Sequence, residues 1–129
     1  MILDSTFLVD FEREVRRGER GAATRFLEDN ANEPLMITFT ITGELAAGES
    51  LGRDRMRWES FVSPFQLLGF TPDVAWHFGV IYRELRQTGL LIGANDMWIA
   101  ATAKAFGVPL VTRNADDFSR IAGLDVRRY

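Results

Sequence analysis

Met1-Ile2-Leu3-Asp4-Ser5-Thr6-Phe7-Leu8 opens the chain with an apolar triplet, a polar step and the start of a helical pattern. Consecutive apolar residues suit a strand buried on both faces of a sheet. Asp4, Ser5 and Thr6 suit a turn that also caps a helix, because their short side chains accept hydrogen bonds from the free amides of a first helical turn. Phe7, Leu8, Phe11 and Val15 then recur at helical spacing and give the following helix an inward face. Strand, polar turn and helix form one unit, and the rest of the chain repeats it.

Working outward, Arg20 to Asn32 reads as a second helix with Ala23, Phe26 and Leu27 inward. Leu35-Met36-Ile37, introduced by Pro34, is a second strand, and Thr38 caps a helix that runs to about Leu51. The charged run Arg53 to Glu59 gives a fourth helix with a wet face, and Gln66-Leu67-Leu68 a third strand. Pro72 and Asp73 open a long helix to about Gln87, with Val74, Phe78, Ile81 and Leu85 as its inner stripe. Gly89 to Gly93 is a loop, Asn95 is a candidate cap, and Asp96 to Phe106 is a helix closed by Gly107. Leu110-Val111-Thr112 is a fourth strand, Asn114 to Phe118 a turn with a short helix, and Leu124-Asp125-Val126 a last, edge strand. Strands alternating with helices specify an α/β fold: a central, mainly parallel five-stranded sheet covered on both faces, hence three layers, in a single domain spanning residues 1–129.

Composition narrows the chemistry. The chain has 129 residues, no cysteine, one histidine and a formal net charge of −3. Cysteine zinc sites and disulfides are excluded, and His77 alone is poor material for a histidine metal site or a Ser-His-Asp triad. A metal centre here must be built from carboxylates, which favour hard cations. The balanced charge provides no broad basic surface for nucleic acid, so any RNA contact depends on a local patch or on metal ions. No apolar run approaches the roughly 20 residues that span a bilayer, and no signal peptide is read, so the expectation is a cytoplasmic protein without a membrane partner.

A few acids do not fit a solvated surface. Asp96 leads a stripe of Ile99, Ala100 and Ala103 that should face the core, where an unpaired carboxylate is costly. An acid favoured by the dipole at a helix start is the plainer account of the same residue. Asp4 follows Ile2-Leu3 at the carboxyl end of a strand, where ligand sites collect in open parallel sheets; a turn aspartate is the plainer account. Glu44 shares a helix face with Ala47, Gly48 and Leu51, unless the helix is rotated to wet Glu44 and bury Leu45. Thr112, Asn114, Asp116 and Asp117 follow the fourth strand, where turn chemistry would also place them. All four places sit at strand ends or helix turns able to converge on one crevice. Carboxylates gathered there repel one another, and a divalent cation relieves the repulsion.

The same residues resemble the motifs of the PIN domain family. Ile2-Leu3-Asp4-Ser5-Thr6-Phe7-Leu8-Val9 is similar to its opening motif, and Ile37 to Leu45 to its second, glutamate-bearing motif. Ile92-Gly93-Ala94-Asn95-Asp96-Met97-Trp98-Ile99-Ala100-Ala101-Thr102-Ala103 is the most specific match, and Leu110 to Phe118 with Ile121 to Val126 resembles the C-terminal segment. The resemblance implies a VapC-type toxin: an Mg2+- or Mn2+-dependent endoribonuclease, a homodimer or higher assembly, with an RNA substrate and a cognate antitoxin protein that blocks its site. By position it implies Asp4, Glu44, Asp96 and Asp117 as catalytic metal ligands, joined by Asn114. Ser5, Thr6, Thr112 and Asp116 would support them. Asn114 departs from the pattern, since many PIN domains carry an aspartate there; Asp117, or else Asp116, would supply the missing acid. That departure motivates the alternative of a non-catalytic PIN-like module that binds RNA or protein. A response-regulator-like domain is a further alternative, weakened because Lys104 lies within a helix rather than after a late strand.

Overall fold

The computed structural model describes all 129 residues. Its strands are β1 (Ile2–Leu3), β2 (Met36–Thr38), β3 (Gln66–Leu68), β4 (Leu110–Val111) and β5 (Val126–Arg127). Its helices are α1 (Ser5–Arg17), α2 (Ala22–Asp29), α3 (Phe39–Ala47), α4 (Arg55–Val62), α5 (Pro72–Gln87), α6 (Ala94–Phe106) and α7 (Ala115–Phe118), with a 3-10 turn at Leu51–Arg53. The sheet has the order β3-β2-β1-β4-β5. Every pairing is parallel, so the sheet is wholly rather than mainly parallel.

This order places the functional crevice. From β1 the chain moves to β2 and β3 on one side, then returns to add β4 and β5 on the other. Right-handed crossovers put helices of the two runs on opposite faces. The strand order therefore reverses between β1 and β4, and a cleft opens beyond their carboxyl ends. The register is tight there: Asp4 N donates to Val111 O at 3.0 Å, and Thr112 N donates to Arg127 O at 3.0 Å. Ile2, Leu3, Leu110 and Val111 are fully buried, as expected of central parallel strands.

Local chemistry sets the helix ends. Asp4 caps α1, Thr38 caps α3 through Ile41 N, and Thr71 caps α5 with Pro72 in its first turn. Gly18 and Gly107 end α1 and α6 at φ of 66° and 64°, a left-handed conformation that a Cβ penalises. Val74, Ile81 and Leu85 form the buried stripe of α5, with Phe78 stacked on Trp98 of α6.

Several expectations need correction. Val15 is 61% exposed rather than inward. Glu14 takes the inward position near the end of α1, because its carboxylate reaches the free amides of α2: Oε1 accepts from Ala23 N and Oε2 from Thr24 N and Oγ1. The third helix stops at Ala47, and Leu51 belongs to the separate 3-10 turn. The fourth strand ends at Val111, one residue early, and the last strand is Val126–Arg127, because its pairing follows the backbone register of β4. Asn95 does not cap α6; Gly93 occupies that position, without a side-chain cap.

Candidate acidic active site

Asp4 anchors the crevice. It is 3% exposed, and both of its oxygens accept hydrogen bonds. Oδ1 accepts from Ser5 N at 2.7 Å and Ser5 Oγ at 3.4 Å. Oδ2 accepts from Thr6 Oγ1 at 3.2 Å and from Thr112 Oγ1 at 2.7 Å. Thr112, just past β4, is fully buried, and its hydroxyl also accepts from Asn114 N at 3.0 Å. One threonine thus ties the turn after β4 to the carboxylate after β1.

Glu44 lies on α3, half-buried, while its neighbour Leu45 is buried and Ala47 and Gly48 are exposed. The helix is therefore rotated partly toward the alternative in which Leu45 fills the core. Glu44 Oε1 accepts from Asn95 Nδ2 at 3.3 Å, whereas Oε2 is buried with no hydrogen-bond partner. An anionic oxygen in that position requires a proton, a water or a cation. Asn95 was expected as a cap, and its contact with Glu44 escaped sequence reasoning. Its place immediately before Asp96 was the only signal.

Asp96 stands in the first turn of α6, and Ile99, Ala100 and Ala103 behind it are buried. Burial pushes its carboxyl up to about 6, with further contributions from the charges of Asp4, Glu44 and Asp117. These causes identify the four acids as one electrostatic cluster assembled from β1, α3, α6 and α7. Asn114 Nδ2 donates to Asp117 Oδ2 at 3.0 Å, and Arg120 lies 3.3 Å from Asp117 Oδ1. Asp116 turns the other way: it is solvent-exposed and pairs with Arg128 at 2.6 Å. Of the two candidates for the additional acid, only Asp117 acts on Asp96.

The donor set is wholly oxygen, and the unpartnered Glu44 oxygen and the raised Asp96 both mark excess negative potential. These residues fit a hard divalent cation. No three of the acids already stand at the spacing of a coordination shell. They are near enough for the charges of Asp4, Glu44 and Asp117 to act on Asp96, but loading requires side-chain adjustment. Elsewhere, His77 is partly buried within α5, and Arg83 and Arg86 are exposed without ion pairs. Trp58, Phe61 and Phe65 pack partly buried against the core, with Trp58 Nε1 donating to Thr42 O at 3.0 Å.

Comparison with known proteins agrees with this architecture. The PIN domain family model matches residues 1–124. A protein named Ribonuclease VapC2 from Rickettsia felis is 33% identical over 102 residues, covering 76% of each chain. Ribonuclease VapC1 from Methanocaldococcus jannaschii is 26% identical over 129 residues, 100% of this chain and 86% of its own length. Among solved structures, VapBC2 from Rickettsia felis, bound to a DNA fragment from its promoter, matches with a TM-score of 0.82 at 25% identity, covering 99% of this chain and 97% of that one. VapBC-1 from nontypeable Haemophilus influenzae matches with a TM-score of 0.81 at 20% identity, covering 98% and 96%, a likeness of fold.

Proposed function

The chain belongs to the PIN domain family, and from that membership we propose that it is a VapC-type toxin, an endoribonuclease that hydrolyses RNA phosphodiester bonds with a divalent metal. One observation carries the reading: acids distant in sequence face one crevice at the strand-order reversal, where burial first, and then the charges of Asp4, Glu44 and Asp117, push the Asp96 carboxyl up to about 6.

Asp4, Glu44, Asp96 and Asp117 would hold Mg2+ or Mn2+, with Asn114 beside them. When bound, the ion supplies positive charge against the phosphodiester and acidifies a water. The chain's own residues prepare the site. Ser5, Thr6 and Thr112 fix both oxygens of Asp4 in one orientation. Asn95 holds one oxygen of Glu44 and leaves the other free. Asn114 is neutral and serves as a donor that orients Asp117 rather than as another charge. Asp96, its carboxyl raised to about 6, would meet the ion as the carboxylate.

The protein works in the cytoplasm as a homodimer, restrained by a cognate antitoxin. No helix is long and apolar enough to cross a membrane. The relatives support the antitoxin, since the matched Rickettsia and Haemophilus structures are VapBC assemblies.

The test is cleavage of a labelled structured RNA by purified protein in Mn2+ or Mg2+, with and without chelator. Expected is cutting that chelator abolishes. In Asp4→Asn and Asp96→Asn, cleavage should fall below about 1% of wild type while far-ultraviolet circular dichroism is unchanged. Full activity in both variants would overturn the assignment, and RNA binding without cleavage under any metal would favour the non-catalytic module.

A further inference from the structure

Outside the acidic cluster the molecule buries another carboxylate, Asp10, six residues along α1 from Asp4. It is 6% exposed and fully satisfied. Oδ1 pairs with Arg13, Oδ2 lies 3.0 Å from Arg113 Nη1, and Oδ2 accepts from Tyr129 Oη at 2.8 Å. With two guanidinium groups against it, Asp10 is neutralised in place and is not a candidate metal ligand. Both of its distant partners, Arg113 and Tyr129, lead back to Asp4.

The first route runs through Arg113. This residue sits between Thr112, whose hydroxyl donates to Asp4 Oδ2, and Asn114, which orients Asp117. Holding the Arg113 side chain against α1 fixes the turn on both sides of it. The second route runs through Tyr129. Its ring packs edge-on at 4.6 Å against Phe7, the residue that follows Thr6. Thr6 in turn donates to Asp4 Oδ2. Burial, reinforced by Asp10, keeps the Tyr129 phenol protonated well above its ordinary range, so it remains a donor.

We propose that Asp10 is a positioning residue of the active site, which through Arg113 and Tyr129 holds Asp4 and the Thr112–Asp117 turn together at the crevice, so that only side-chain adjustment is needed to take up the metal ion. The inference rests on the nuclease reading. It assigns a role to Asp10, Arg113 and Tyr129, none of which contacts the reacting atoms. Outer partners that orient metal-binding carboxylates typically change metal affinity or activity about 10- to 100-fold when removed.

The experiment compares wild type with Asp10→Asn, Tyr129→Phe, Arg113→Gln and Arg113→Lys. Mn2+ affinity is measured by titration calorimetry, and kcat and KM with a fluorophore–quencher single-stranded RNA. Asp10→Asn should weaken Mn2+ binding and lower kcat about 10-fold or more, with KM within about 2-fold of wild type. Tyr129→Phe keeps the ring packing and loses only the hydroxyl, and should show the same defects in smaller degree. Arg113→Gln should resemble Asp10→Asn, and Arg113→Lys should partly restore both readouts. If Asp10→Asn does not fold, the tyrosine and arginine variants decide. Variants that melt earlier but keep wild-type Mn2+ affinity and kcat would overturn the inference and leave the nuclease reading standing. A wild-type protein that neither binds Mn2+ nor cuts RNA would remove both.

Discussion

A single carboxyl group reports the state of the site. Asp96 has its proton affinity raised from the ordinary 3.8 to about 6 by burial and by the acids facing it. In the metal-free protein the folded state therefore holds this proton more tightly than the unfolded chain does. The associated stability is fully present below about pH 4 and is lost as pH rises through about 6. Denaturant unfolding in chelator should show stability falling over that window by about 1–2 kcal/mol, less than the full shift because the group is partly open to water. Asp96→Asn should remove this pH dependence and raise the melting temperature in chelator. A variant that melts lower at pH 7 would instead make Asp96 a structural hydrogen-bond partner. Added Mn2+ should reverse the order, stabilising wild type and leaving the variant unchanged.

At the scale of elements, α2 depends on a side chain from α1. The helix starts at Ala22 after Gly21, which offers no capping side chain, and the Glu14 carboxylate serves its amides instead. Burial pushes the Glu14 carboxyl up, but the Thr24 side chain and the amides of Thr24, Ala23 and Gly21 outweigh it and hold it below its usual range. Its contribution is present above the ordinary 4.5 and is lost as pH falls through the lower folded value, opposite in sign to Asp96. Gly21 permits the approach, since a Cβ there would stand 2.1 Å from Glu14 Oε1. Glu14→Ala should cost about 1–3 kcal/mol by leaving buried amides unpaired. Gly21→Ala should destabilise by displacing the carboxylate. Urea unfolding measures both, and neutral effects would show that α2 caps itself with water.

For the whole molecule, several large aromatics are left exposed, among them the contiguous pair Phe39 and Phe70 and, on α5, Trp76. Phe39 is 49% exposed, Phe70 59% and Trp76 69%, with Phe39 stacked on Phe70 and Phe70 edge-on to Trp98. Large exposed apolar faces mark partner surfaces, and a second copy of the chain is the occupant consistent with the proposed homodimer. Trp76→Glu should convert a dimer to a monomer in sedimentation equilibrium while leaving the fold intact. An unchanged mass would place the dimer contact elsewhere.

Alternating apolar runs and helical stripes were sufficient to specify a parallel α/β sheet, its five strands and the acids worth watching, because burial periodicity and capping chemistry act over a few residues. Asp4, Glu44 and Asp96 stood out in the sequence for that reason: each interrupts an apolar pattern or ends an apolar strand. The sequence favours Asp117 over the adjacent Asp116 only by position in the motif; that Asp116 pairs with Arg128 at the surface is a contact the sequence does not show. Nor could it find the Asn95 contact with Glu44, the exposure of Val15 or the Asp10 network, because each joins residues far apart along the chain. Such pairings depend on how elements pack, and free energies of packing and charge are set in space, where only the tertiary structure brings these groups together.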